Sequence, residues 1–378
     1  MCSLNKAEET LNRDHADVII IGGGIIGCAI AYDLAKRDMK PLLIDKAPTV
    51  GTEASWAGAG ILTSHATTHE PYPTLCRASL ALYPALAEEL RTETQIDIEF
   101  IQSGTLSVFF NQAEAAGLIG LADRRVKRGF SAEVLTTEQA LQLEPALSKS
   151  VAGAVLFPED AQVRNPKMVT ALAKGAAKLG AKFLLGNPVT NFIQENDRVI
   201  GVVVNGETVY ADTFVIAAGC WAGTLMAQLD VPIQVEPAKG QIVLVEAMPP
   251  LFQHVVDGLG IYIVPRADGK ILLGATVEFV GYDKTATVDG AKQMIDAGIA
   301  IAPQLADSTF VQTWAGLRPY AKKGPLLGYL PGHENIVLAS GHFKNGILLA
   351  PITGQLIAEL LTTGQPSLPL EPFQPEVV

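Results

Sequence analysis

Residues 17–46, DVIIIGGGIIGCAIAYDLAKRDMKPLLIDK, restrict the fold more than any other stretch of the chain. Asp17-Val18-Ile19-Ile20-Ile21 is a β-branched run with no polar alternation, as in a parallel strand buried on both faces. Gly22, Gly24 and Gly27 then fall on GxGxxG. The first permits the tight turn, the second lets backbone approach a pyrophosphate, and the third lets helix pack closely on strand. Ile25 to Lys36 has helical apolar spacing, so free N–H groups at the helix start face the phosphates. Pro41 to Ile44 returns as a second strand ending in Asp45, 18 residues beyond Gly27, where a carboxylate can accept from ribose hydroxyls. A lone GxGxxG would be weak, because packing turns use it too. Here strand, turn, helix and acid-ended strand follow in order within 30 residues. The acid argues against NADP and leaves NAD and FAD open.

At 378 residues the chain is long for one core, and two domains are expected. It is 48% hydrophobic, yet the sequence reading finds no apolar run near 18 residues, so no membrane span is expected. Residues 1–16 read as a polar N-terminal tail without the apolar core of a secretory signal, which implies a cytoplasmic protein. The balance of 28 basic against 39 acidic residues, net −11, speaks against nucleic acid or an anionic membrane as partner. An anionic substrate then needs a local basic pocket. Cys2, Cys28, Cys76 and Cys220 make no metal pattern, so no metal is expected; only Cys220, beside Trp221, lies in a stretch of interest.

The small-residue stretch from Gly51 to Leu62, which includes Ser55-Trp56-Ala57-Gly58-Ala59-Gly60, suits neither helix nor strand and is expected to cover a cofactor. Helices are expected over 74–95, 112–128 and 137–143, with paired strands over 98–110 turning at Ser103-Gly104. A helix from Asn165 to Leu179 and a strand over 181–185 precede a meander at 189–194, 199–205 and 207–210. A separate buried strand, 213–216, ends at Ala217-Ala218-Gly219, with a helix beyond Trp221. Strands follow at 232–247, 260–266 and 270–275, a helix at 287–303, strands at 310–320 and 335–340, and a helix over 346–361. A nucleotide fold that inserts a β-meander and returns a strand tipped by Ala-Ala-Gly resembles the glutathione-reductase type of FAD domain. The expected class is α/β: a discontinuous FAD-binding Rossmann domain (17–90, 155–230, 308–378) and an α+β substrate domain with a mostly antiparallel sheet (91–154, 231–307).

Three stretches in the last third set polar groups among glycines: Tyr262-Ile263-Val264-Pro265-Arg266, Trp314-Ala315-Gly316-Leu317-Arg318-Pro319, and Gly341-His342-Phe343-Lys344-Asn345-Gly346-Ile347. Together with the clamp and the SWAGAGIL loop, from Asp17 to Leu361, they resemble the D-amino-acid oxidase superfamily, most closely its bacterial glycine oxidases linked to thiamine synthesis.

The resemblance implies non-covalent FAD and oxidation of glycine, sarcosine or small D-amino acids to an imine by hydride transfer to flavin N5. Oxygen then yields hydrogen peroxide and water releases glyoxylate or a 2-oxo acid. It implies that Arg318 grips the substrate carboxylate, that Tyr262 touches the substrate, and that no side chain serves as acid or base. A guanidinium suits the clamp, because its two-pronged fork matches a carboxylate and stays charged when buried. Arg266 reads as a surface or interdomain ion pair.

Lys344, counted with Arg318 and Tyr262 among the substrate-binding residues, stands where relatives can carry Arg, keeping the charge without the planar fork, and Val277 stands where a relative has a longer side chain, widening the pocket. By the same resemblance Ile25 and Ile26 lie beside the pyrophosphate, and Asp45 and Lys46 at the adenosine ribose. Val189 lies at the adenine, and Gly219 also belongs to the cofactor set. Ala54, Ser55, Ala59, Gly60 and Ile61 run along the flavin. His342, Phe343, Lys344, Asn345, Gly346, Ile347 and Leu348 wrap its pyrimidine edge, where Gly346 opens a helix with its positive end toward the ring. Ala57 stands where covalent relatives have a tethering His. A homo-oligomer, often a tetramer, is implied. A dehydrogenase of the same fold, passing electrons to a quinone or partner subunit, is the alternative activity, and a flavin subunit without turnover is a second alternative.

Overall fold

The computed structural model describes residues 16–63, 70–196 and 198–376, so the expected N-terminal tail, Ala16 apart, lies outside the described residues. The chain opens with β1 (Ala16–Ile21), α1 (Ile25–Ala35) and β2 (Leu42–Asp45), followed by the short α2 (Ala54–Ala57), β3 (Ile61–Leu62) and the long α3 (Tyr72–Thr94). Next come β4 (Thr105–Phe109), α4 (Gln112–Val126), β5 (Glu133–Leu135), α5 (Thr137–Leu143), β6 (Gly153–Phe157) and β7 (Ala161–Gln162). Helix α6 (Asn165–Lys178) and β8 (Lys182–Leu185) lead to β9 (Val189–Glu195), β10 (Arg198–Val204) and β11 (Glu207–Ile216), and then to α7 (Ala222–Met226). The remainder is β12 (Glu236–Glu246), β13 (Val255–Gly258), β14 (Ile261–Pro265), β15 (Lys270–Gly274), α8 (Val288–Ile301), β16 (Thr309–Tyr320), β17 (Leu326–Tyr329), β18 (Ile336–Ser340) and α9 (Gly346–Thr363).

The first sheet runs β17-β18-β11-β1-β2-β8, parallel except for β17, with β9 and β10 attached through β11. Strand β1 has no polar alternation because both its faces are covered. Val18 and Ile20 pack with α1, α3, α6 and α9, while Ile19 and Ile21 pack under the meander. The chain leaves β1 through α1 to β2 on one side and has β11 on the other, so the crevice at the carboxyl end of β1 is the switch point where ligands bind in such sheets.

Helix α9 carries Pro351, which has no N–H for the Ile347 carbonyl four residues earlier. Helix α3 repairs the gap: the Tyr83 hydroxyl donates to that carbonyl, and Ser79 Oγ bonds the Leu348 carbonyl at 2.6 Å and accepts from Ile352 N at 3.3 Å. Residues Phe343–Thr363 are long and apolar enough to cross a bilayer, a run the sequence reading did not count. Here the apolar stretch is spent on the core, with Leu348, Leu349, Leu356 and Ile357 all fully buried against α1 and α3.

The second sheet runs β16-β12-β15-β14-β13-β4-β6-β5, antiparallel except for the β13–β4 pair. One face packs on α5 and α8; the other looks toward the first sheet's ligand crevice.

Several expectations change. Residues 98–110 are not a hairpin: Ile101 bridges Gln162, whereas β4 pairs with β6 and β13, because Gly104 (φ +88) turns the chain toward Asp160. The strands expected at 207–210 and 213–216 are one strand, β11, whose first half pairs with β10 and whose second half enters the parallel sheet. Strand β16, expected with the 308–378 FAD piece, pairs along its whole length with β12 in the second sheet, and the expected break at 154/155 falls inside β6. Strands β3, β5, β6, β7, β13 and β17 were not anticipated, since runs of two to five residues carry too little period to register.

Candidate active site

The glycine turn is set by close backbone contacts. Gly22 takes φ +116, and a Cβ there would lie 2.4 Å from the Ala217 carbonyl oxygen. At Gly27 a Cβ would lie 1.9 Å from the Gly22 oxygen. Asp45 holds the turn by accepting from Gly23 N at 2.5 Å and Ala47 N at 2.7 Å, so both oxygens serve backbone while keeping lone pairs for a ribose. Helix α1 has no side-chain cap at Gly24. Ser55 Oγ accepts from Ile25 N at 2.9 Å, which sets Ser55 against the first turn of α1.

From this turn a cavity of about 640 Å³ extends in two directions. One end is bounded by Val189, Gly219, Trp221 and Lys46, whose ammonium sits 3.7 Å from the Trp221 ring centroid. Ile26, Ala54, Ala59, Gly60 and Ile61 line the middle. Arg266 ties this loop down: its guanidinium donates to Ala59 O at 2.6 Å, Gln162 Oε1 at 2.9 Å and Val163 O at 3.0 Å. Arg266 is therefore a buried tie to neutral acceptors, neither surface residue nor ion pair; burial pushes its pKa down to about 10. Trp314 Nε1 anchors the same loop through Ala57 O at 3.1 Å.

At the far end His342, Phe343, Lys344, Asn345, Gly346 and Ile347 line the wall where α9 begins. His342 is fully enclosed, and Nε2 shares a 3.0 Å hydrogen bond with Thr353 Oγ1. Nδ1 has no partner among the described residues, and burial pushes the imidazole pKa down to about 3, so the ring is neutral. Leu348 and Gly27, both expected at the cofactor, lie behind the wall as packing residues.

The second sheet supplies the remaining wall. Arg318 on β16 and Tyr262 on β14 both line the cavity, and two glycines make room for them. A Cβ at Gly240 of β12 would lie 2.1 Å from the Arg318 guanidinium nitrogens; one at Gly274 of β15 would lie 2.8 Å from the Tyr262 ring. The guanidinium thus crosses over β12, with Nη1 donating to Thr276 O at 3.0 Å. Burial raises the Tyr262 phenol pKa against the opposing charge and hydrogen bond of Arg318, so the phenol is a proton donor at neutral pH. Burial, and then Arg318, push the Lys344 ammonium pKa down, while Asp257 pushes it up.

The sequence reading missed Gly240, Gly274, Thr105 and Asp257 on this wall. A glycine inside a strand signals close approach by another group, and that was the available clue for the first two. Cys220 reaches the cavity, but burial pushes its thiol up to about 12, so it is no nucleophile. Among the described residues no cluster of His, Cys, Asp and Glu could hold a metal ion.

The model of the FAD dependent oxidoreductase family (DAO) matches residues 17–360. Glycine oxidase of Geobacillus kaustophilus is 36% identical over 94% of this chain and 96% of its own length. The crystal structure of glycine oxidase from Geobacillus kaustophilus superposes with a TM-score of 0.92 at 35% identity, covering 96% of this chain and 98% of that one. The bifunctional protein ThiO/ThiG of Trichormus variabilis is 35% identical over 91% of this chain, which spans 52% of that protein.

Proposed function

The chain belongs to the FAD-dependent oxidoreductase (DAO) family, and on that premise we propose that it oxidises glycine and other small primary or secondary amino acids, sarcosine and small D-amino acids among them. The residues present fit FAD: the start of α1, where Gly24 offers no side-chain cap, would face the phosphates, Asp45 and Lys46 would stand at the ribose end, and His342 Nδ1, unpartnered among the described residues, sits in the wall at the start of α9. When bound, FAD supplies the redox chemistry, taking a hydride equivalent from the substrate and passing electrons to oxygen to give hydrogen peroxide, while the released imine hydrolyses to glyoxylate or a 2-oxo acid.

The chain's own part is positional. Arg318 holds the substrate carboxylate with a charge-assisted fork, the neutral Tyr262 phenol donates a second hydrogen bond, and the apolar loop at Ala59 to Ile61 excludes water. No side chain is needed as acid or base. The observation that carries the reading is the guanidinium laid over Gly240 beside Tyr262, in the same cavity that begins at the α1 turn. A place in thiamine biosynthesis and a homo-oligomeric state follow from the resemblance, the first in keeping with the ThiO/ThiG relative. The test is the holoprotein's spectrum with glycine, sarcosine, D-alanine and D-proline added in turn. Bleaching without air together with peroxide in air is expected. Bleaching without peroxide would indicate a dehydrogenase, and no bleaching by any of them would overturn the amino-acid assignment.

A further inference from the structure

Among the described residues, the cavity-facing side of the second sheet carries a carboxylate that the function above does not use. In the strand register Asp257 of β13 lies directly opposite Tyr262 of β14 and beside Ser107 of β4, while Val255 lies beside Thr105. Residues opposite one another project from the same face, and Tyr262, Asp257, Val255 and Thr105 all line the cavity. Ser107 Oγ donates to Asp257 Oδ2 at 3.4 Å. Thr105 is 1% exposed, and its hydroxyl has no partner among the described residues. Beyond Tyr262, then, lies a polar recess bounded by Thr105 and Asp257, and Lys344 belongs to the same cavity wall.

We propose that Asp257 is a specificity-determining residue: it holds the second cation of the site, Lys344, in balance and so reserves the recess for substrates carrying a single carboxylate. This rests on the reading that Arg318 clamps the substrate carboxylate. Among the described residues the charges lining this end are Arg318, Lys344 and Asp257, a net charge of +1. That complements one carboxylate attached to a neutral amine. Without Asp257 the same wall would present two cations, the arrangement that suits a dicarboxylic substrate. Asp257 is the group whose charge opposes Arg318 at the Lys344 ammonium. A second carboxylate entering the recess would meet Asp257 as a like charge in a partly desolvated site, which is unfavourable. The orphan Thr105 hydroxyl remains available to a neutral substituent.

The test compares the holoenzyme with Asp257→Asn, using glycine and iminodiacetate as substrates, and acetate and malonate as non-reacting ligands read by perturbation of the flavin spectrum. Flavin content and melting temperature check that the variant is folded. The ratio of iminodiacetate to glycine kcat/KM, and the ratio of malonate to acetate affinity, should each rise about tenfold or more in the variant. Should Asp257→Asn lose its flavin, Lys344→Gln supplies the second measurement. Because the Asp257 charge already opposes that of the lysine in the wild type, that change should leave the malonate to acetate ratio within about threefold. Ratios unmoved by Asp257→Asn, or a tenfold fall with Lys344→Gln, would overturn the proposal. If the wild-type protein neither binds acetate nor is bleached by glycine, the Arg318 reading itself has failed, an outcome distinct from glycine turnover with unmoved ratios.

Discussion

Gly240→Ala should disable the enzyme while leaving it folded and yellow. A Cβ at this position would stand 2.1 Å from both terminal nitrogens of Arg318, whereas ordinary contact begins at 3.4 Å, so the guanidinium must retreat by 3.4 − 2.1 = 1.3 Å. It can do so cheaply, being the far end of a flexible side chain, and alanine is if anything the better strand residue by about 0.5–1 kcal/mol. Stability should therefore change by no more than about 1 kcal/mol. The clamp pays instead. A misplacement on the order of 1 Å costs about a hundredfold in rate, and the loss of charge-assisted hydrogen bonds to a carboxylate is worth about 1.5–3 kcal/mol. The two routes agree on a fall of roughly 10- to 150-fold in kcat/KM for glycine, carried mainly by KM if Arg318 binds ground and transition states alike. The measurement is initial rate of peroxide formation against glycine concentration, with flavin content and melting temperature beside it. A kcat/KM within threefold of wild type in a variant fully loaded with FAD would refute the placement of Arg318 over Gly240. Loss of flavin would refute the separation of substrate wall from cofactor wall.

Arg318→Ala should raise KM strongly with FAD retained, since Arg318 makes no contact with the α1 turn; flavin loss would show the residue misplaced. Gly27→Ala should do the reverse and abolish flavin binding, because its Cβ would lie 1.9 Å from a backbone oxygen that cannot move away; wild-type flavin content would contradict this. Tyr83→Phe strands the Ile347 carbonyl opposite Pro351 and should cost about 1–3 kcal/mol in urea unfolding at neutral pH, with catalysis little changed. His342 has a folded pKa of about 3, below its ordinary 6.5, so the fold binds fewer protons than the unfolded chain. The stability tied to this group is complete above pH 6.5 and is lost as pH falls toward 3, by about 2 kcal/mol at pH 5. His342→Gln should flatten that part of the urea midpoint against pH, and an unchanged slope would place the acid sensitivity elsewhere.

The parts legible in the sequence were those whose signal is local. The β1–turn–α1–β2 unit lies where the residues put it, because an unalternating β-branched strand, glycines spaced two and three apart and an amphipathic return are each short-range patterns. Helices α5, α6, α8 and α9 fall within two residues of expectation for the same reason, with caps such as Thr136, Thr287 and the Asn165-Pro166 start marking their ends. Arg318, Tyr262 and His342 were singled out by glycine-rich surroundings and by resemblance, and all three reach one cavity.

Pairing was the part that the sequence left open. A period of two says which residues share a face but not which strand lies alongside, so β4 was matched to its own neighbour when its partners are β6 and β13. For the same reason β11 was cut in two at the point where it changes partners, and β16 was assigned to the wrong sheet. The fate of Arg266, buried on three neutral oxygens, depended on β3 and β7 meeting beneath it. By itself the sequence determined a dinucleotide-binding α/β chain with a set of candidate cationic and hydroxyl groups. The tertiary structure alone decided that Gly240 and Gly274 clear the floor for Arg318 and Tyr262, and that Asp257 joins them, because those contacts are made between strands distant in the chain and brought together only by the sheet.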